Sequence, residues 1–272
     1  MKRTAFYLSD GTGITAETLG HSMLSQFGDI EFVQITLPFV QSDEQTREAI
    51  ARINRASIED GQKPVVFSTL VNNDHRTLLH GCDGLVLDLF GAFLNPLEDE
   101  LGVRSSHKIN QSHAIRDAES YRIRINAVHF ALDNDDGART RHYDQADVIL
   151  IGVSRSGKTP TCLYLALQFG LFIANYPLTE DDFDDLRLPK PLVEHKQKLF
   201  GLTINADRLS AIRSERKAGS KYASLRQCDM ELRALEAMYN KHNIPYLDAT
   251  ELSIEEISTR VLAMKGLERR LQ

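Results

Sequence analysis

The sequence predicts an α/β protein of two units, an N-terminal Rossmann-like parallel sheet and a C-terminal P-loop unit. Three observations predict it. Short apolar runs of strand length alternate with amphipathic helical patterns, as in a parallel sheet covered by helices. The stretch from Gly152 to Thr159, GVSRSGKT, has the spacing of a phosphate-binding loop between an apolar run and a helical pattern. A second glycine loop, SDGTG from Ser9 to Gly13, also follows a strand and opens a helix.

Thr4 to Leu8 reads as the first strand, followed by a helix over Ile14 to Phe27 with Leu19, Met23 and Phe27 on one face. A strand over Phe32 to Leu37, a helix over Glu44 to Glu59, and a strand over Pro64 to Ser68 continue the alternation. A short helix over Asp74 to His80 and a strand over Gly84 to Asp88 complete the first unit, bounded at residues 1–103. Residues 104–144 read as a polar connecting segment carrying His107, Lys108, His113, Arg116, Arg122, Arg124, Arg139, Arg141 and His142. It contains a helical pattern over Ala118 to Leu132 and a turn at Asn134-Asp135-Asp136-Gly137. The P-loop nucleotide-binding, kinase-like unit then spans 145–272. Its predicted strands are Val148 to Val153, Leu171 to Ala174, Leu199 to Ile204 and Pro245 to Asp248. Its helices are Pro160 to Phe169, Ala206 to Lys217, Leu225 to His242, and a last one opened by the capping-box spacing Ser253 to Glu256.

Composition narrows the function classes. A formal net charge of −6 over 272 residues argues against broad electrostatic capture of nucleic acid or of an anionic membrane. The three cysteines, Cys82, Cys162 and Cys228, form no metal spacing and fit a reducing, cytoplasmic compartment. No signal peptide or membrane-span window is present. The nine histidines show no HxxxH or HExxH arrangement, which speaks against metal hydrolysis. His113 and His129 read as surface or structural side chains.

The chemistry of GVSRSGKT follows from its parts. Gly152 and Gly157 let the backbone curl, so that the N–H groups of Val153, Ser154, Arg155 and Ser156 point at phosphate oxygens, and the following helix adds its positive end. Lys158 would place an ammonium on the terminal phosphates, and Thr159 would offer its hydroxyl to Mg²⁺. Arg155 is either a solvated side chain or a second cation beside the transferred group. The expected acid at the end of a downstream strand is missing: the candidate strands end at Asn175 and Asn205. Arg208, Arg213 and Arg216 are either a solvated basic face or a phosphate clamp.

The loop Ser9 to Gly13 matches G-x-G-x-x-A through Gly11, Gly13 and Ala16, but the second strand ends without the acid a dinucleotide needs. Asp10 would also repel a pyrophosphate. The loop suits an inorganic anion or a protein hydroxyl, or is simply a capped turn. Asp10, Asp135 and Asp136 are the candidates to position an acceptor hydroxyl.

Four motifs in order, FYLSDGTGITAETLG, VILIGVSRSGKTPTCLYLA, LFGLTINADRLSAIRSER and IPYLDATELSIEEIS, resemble the bacterial phosphoenolpyruvate synthase regulatory proteins and the related pyruvate, phosphate dikinase regulatory proteins. The resemblance covers essentially the whole chain. It implies a bifunctional serine/threonine kinase and phosphorylase. One reaction moves a phosphoryl group from ADP to a threonine of the synthase and inactivates it. The other uses inorganic phosphate to remove that group as pyrophosphate. The resemblance carries nucleotide binding onto Gly152 through Thr159 and implies phosphoenolpyruvate synthase as the protein partner. The chain departs from the family pattern at Arg124 to Ala131, where a glutamate is usual, and at Asn134, where a histidine is usual; Asp135-Asp136-Gly137 is intact.

Residue spacing alone leaves two other readings open, an ATP-dependent small-molecule kinase and a non-catalytic nucleotide sensor. The usual eukaryotic kinase fold is excluded, because its Gly-rich loop, HRD and DFG motifs are missing. The sequence leaves room for a homodimer.

Overall fold

The protein is described by a computed structural model covering residues 2–106, 118–183 and 185–271. The chain divides into two compact units, Met1–Ala114 and Ile115–Gln272.

In the first unit the order is β1 (Lys2–Leu8), α1 (Ile14–Leu24), β2 (Glu31–Leu37), α2 (Asp43–Asp60), β3 (Val65–Ser68), α3 (Asn73–Leu79), β4 (Leu85–Asp88) and α4 (Leu89–Leu101). The four strands form one parallel sheet in the order β2-β1-β3-β4. Strand alternation sorts the core into two layers. Phe6 and Leu8 pack with Ala49, Ile53 and Leu79 of α2 and α3. Ala5 and Tyr7 pack with Ala16, Leu24 and Leu89 on the other face.

Two details differ from the sequence expectation. Helix α1 ends at Leu24, and its buried face is Ala16, Gly20 and Leu24, while Met23 and Phe27 are exposed. Small residues win that face because the helix lies close on the sheet: a Cβ on Gly20 would sit 2.4 Å from the Tyr7 ring. Helix α4 has no counterpart in the sequence reading. It carries Pro96 in its interior, a residue that normally argues against a helix, and Asp88 caps its start by accepting from Gly91 N at 2.9 Å.

The second unit begins its described part with α5 (Ala118–Asp133), followed by 3-10 turns at Asp135–Gly137 and Thr140–Gln145. Then come β5 (Val148–Gly152), α6 (Lys158–Phe169), β6 (Ile173–Pro177), α7 (Lys190–Val193), β7 (Leu199–Thr203), α8 (Ala206–Arg216), α9 (Leu225–His242), β8 (Tyr246–Asp248) and α10 (Ile254–Lys265). The sheet order is β6-β5-β7-β8, again all parallel. Val148 and Leu150 face the layer holding α6 and α10; Ile149 and Ile151 face the layer holding α9.

Helix α5, grouped by sequence with the polar connection, contributes Ala127 and Ala131 to the first of these layers and Phe130 to the second. Its apolar face is thus part of the second unit's core. His107, Lys108, His113 and Arg116 lie outside the described residues. Strand β6 runs past Ala174 to Pro177, because an edge strand tolerates a proline at its end. The capping box at Ser253 and Glu256 is formed in both directions. Among the described residues no helix is long and apolar enough to cross a membrane.

Candidate functional site

The phosphate-loop segment leaves the buried strand β5 at Gly152. This position has no room for a side chain: a Cβ would lie 2.7 Å from the Leu202 carbonyl oxygen and 2.8 Å from Ser156 Oγ. Residues 153–157 then turn onto α6. Gly157 (φ 89°) occupies the N-cap in the left-handed region, and no side chain caps the helix. The first amides of α6 are therefore not taken by a capping side chain. Arg155 also has a left-handed backbone (φ 75°), a conformation that costs a non-glycine residue about 1–2 kcal/mol. Ser156 Oγ is buried and has no hydrogen-bond partner among the described residues.

Lys158, the first residue of α6, is 4 % exposed. Its Nζ donates to the Val153 carbonyl at 3.0 Å. Burial pulls its pKa down to about 8, against the opposing pull of the Asp136 and Asp135 carboxylates. A cation kept this dry interacts strongly with any anion that reaches it.

The carboxylate that stands beside the loop comes from before it in the chain. Thr159 Oγ1 donates to Asp135 Oδ1 at 2.8 Å. Asn175 on β6, fully buried, donates its Nδ2 to the same oxygen. It accepts from Asp136 N at 3.0 Å through Oδ1. Asp136 is held in a left-handed conformation (φ 46°, ψ 36°). Beneath them, Tyr143 donates its hydroxyl to the Asn175 carbonyl at 2.9 Å. Asn175 is thus the residue that the sequence reading passed over as a missing acid. The only sign available was its polarity at the end of an otherwise apolar strand. Asn134, at the position where the resembled family usually has histidine, is buried. It donates to the Phe130 carbonyl at 2.8 Å and accepts from Asn175 N at its own carbonyl.

A buried arginine braces the loop from the opposite layer. Arg213 donates to the Ser154 carbonyl through Nε (3.3 Å) and Nη2 (3.2 Å) and pairs with Glu231 at 2.7 Å. Its guanidinium lies over the Tyr222 ring, and the Tyr222 hydroxyl donates to Ser154 Oγ at 2.9 Å. Arg213 is therefore neither a solvated side chain nor a free phosphate clamp. Arg208 is exposed. Arg216, one turn beyond Arg213, borders a cavity of about 270 Å³ together with Ser154, Arg155, Lys158, Thr159 and Asp136.

The other glycine loop belongs to the first unit. Gly13 (φ 85°) occupies the N-cap of α1, again with no side-chain cap. Asp10 is 4 % exposed. Its Oδ2 accepts from Val71 N at 2.8 Å, which ties the end of β1 to the segment after β3. Burial raises its pKa, opposed by the Val71 hydrogen bond and by the nearby His75. His75 in turn lies 3.4 Å from Asp43 through Nε2.

The structure thus gathers Lys158, Thr159, Asp135 and Asp136 around one loop of the second unit, and places Asp10 in a polar cluster of the first. Comparison with known proteins gives a match that runs through both units. The sequence profile described as kinase/pyrophosphorylase matches residues 5–262. A protein of Alcanivorax borkumensis, provisionally named phosphoenolpyruvate synthase regulatory protein, is 92 % identical over 272 residues, all of both chains. Proteins given the same provisional name are 57 % identical in Marinobacter nauticus (269 residues, 99 % of each chain) and 54 % in Pseudomonas aeruginosa (272 residues, 100 % of this chain and 99 % of that one).

Proposed function

Since the chain belongs to the kinase/pyrophosphorylase family, we propose that it is a phosphotransferase that switches phosphoenolpyruvate synthase. It phosphorylates a synthase threonine from ADP, and it removes that group with inorganic phosphate, releasing pyrophosphate. The relatives' names support the target. The observation that carries the chemistry is the cluster of Lys158, Thr159 and Asp135 around an uncapped helix start.

The loop amides and Lys158 hold the phosphate chain and offset the charge that develops as the phosphoryl group moves. The donor set also fits Mg²⁺, which takes one or two carboxylates and completes its shell with phosphate oxygens and water. Thr159 Oγ1 and Asp135 Oδ1 would hold it, and Asn175 fixes the carboxylate in place. Bound there, the ion would supply positive charge to the phosphate oxygens. Asp136, which borders the cavity, positions the acceptor hydroxyl and takes its proton. Asp10 is the first unit's candidate for handling the acceptor.

Incubation of the protein with purified phosphoenolpyruvate synthase, Mg²⁺ and either ADP or ATP, followed by mass spectrometry of the synthase threonines, tests the reading. Phosphothreonine is expected with ADP. Transfer from ATP alone would mark a different kinase, and no transfer from either would mark a nucleotide sensor.

A further inference from the structure

Pyrophosphate formation requires two phosphate groups to meet, and the buried Lys158 is a single cation for the two of them. We propose that Arg155 and Arg216 form the subsite for the phosphate that is not transferred. This is the α-phosphate of ADP in one direction and free inorganic phosphate in the other. The proposal rests on the phosphoryl-transfer reading above and names the residues that hold its second anion.

Three observations carry it. Arg155 and Arg216 both border the cavity of about 270 Å³ at the loop, where Lys158 makes a third cation and Asp136 is the only carboxylate among the bordering residues. Second, neither arginine has a side-chain hydrogen bond or ion pair among the described residues, whereas Arg213, one turn earlier on α8, spends its guanidinium on Ser154 and Glu231. Third, the geometry of α8 aims Arg216. Ile212, four residues earlier and so on the same helix face, borders the same cavity, and the Arg213 bonds to the Ser154 carbonyl hold that helix against the loop.

In the reverse reaction an oxygen of inorganic phosphate attacks the phosphorus of the phosphothreonine. The new P–O–P bond forms as the bond from phosphorus to the threonine oxygen breaks. The proton of the attacking phosphate passes to the departing threonine oxygen, so phosphothreonine and phosphate become threonine and pyrophosphate with no other reactant. The attacker is doubly charged and has no adenosine to anchor it, so it depends on arginine forks to be held in line.

Titration calorimetry of the full-length protein with pyrophosphate, with inorganic phosphate and with ADP tests the subsite without relying on turnover. Arg216→Ala and Arg155→Gly should each weaken pyrophosphate and phosphate binding about ten- to hundredfold. ADP should weaken distinctly less, and Arg216→Lys should restore part of the loss. Both side chains are exposed, so Arg216→Ala should melt with the wild type, and Arg155→Gly, relieved of its left-handed strain, should melt no lower. If both bind pyrophosphate like the wild type while Lys158→Ala does not, the subsite proposal fails and the loop reading stands. If the wild type binds neither pyrophosphate nor ADP, the loop reading fails and the subsite with it.

Discussion

The loops at 9–13 and 153–157 stand in the same place in two sheets of the same strand order. Each follows the central first strand, spans five residues, and ends on a left-handed glycine that caps a helix without side-chain help. They differ in what is buried beside them. The first holds a carboxylate, Asp10, fastened to Val71 N; the second holds an ammonium, Lys158, fastened to the Val153 carbonyl. The first helix opens on exposed Ile14, the second on that buried lysine. A strand, a glycine turn and a helix start are therefore only a frame. What sets the second loop apart is a dry cation and an acid at the helix's second residue: Asp135 reaches Thr159, with no equivalent contact at Thr15 among the described residues.

The sharpest way to break the comparison is to make the second loop resemble the first. Lys158→Ala should lower phosphoryl transfer about 10³-fold, read by phosphothreonine formation, with an unchanged circular dichroism spectrum. Next comes the brace. Arg213→Ala leaves Glu231, 12 % exposed, without its counter-charge and with only the hydrogen bond from Gln227 Nε2. It should destabilise the second unit by about 3–5 kcal/mol in urea unfolding, and Arg213→Lys should recover part of that. Asp135→Asn keeps an acceptor for Thr159 but removes the charge. It should lower transfer about 10²-fold and weaken Mn²⁺ binding, followed by electron paramagnetic resonance in the presence of ADP.

A smaller effect is set by protonation. Lys158 is charged below its pKa of about 8 and neutral above it. Pyrophosphate affinity should therefore fall as pH rises through that value, and the step should vanish in Lys158→Ala. The smallest expected effect lies in the first loop. Asp10→Asn retains an acceptor for Val71 N, so it should leave the melting temperature and pyrophosphate affinity nearly unchanged while slowing transfer to the synthase roughly tenfold.

Much of this was legible in the chain. Strand periodicity, the glycine spacing and the capping residues located both sheets and both loops, because they depend on neighbours a few residues apart. What escaped depends on residues brought together from far along the chain. Asp135 stood among the candidates to position an acceptor hydroxyl, but its contact with Thr159 spans a long interval of chain and was not legible. Asn175 looked like an absent acid, yet it is the side chain that fixes Asp135 and the Asp136 amide. The arginines of α8 share one spacing pattern, but only packing decided that Arg213 turns inward while Arg216 faces the cavity. Pro96 hid α4, and Pro177 hid the end of β6, since each is a residue whose usual meaning the local context reversed.

The contrast between the two loops can be read directly by following backbone amide resonances of the isotopically labelled protein during titration with pyrophosphate. Saturable shifts centred on the amides of Ser154, Arg155, Ser156, Gly157, Lys158 and Thr159, with Gly11 to Ala16 unmoved, are the predicted result. Shifts centred on Gly11 to Ala16, or equal in the two loops, would contradict the assignment of the phosphate cradle to the second unit.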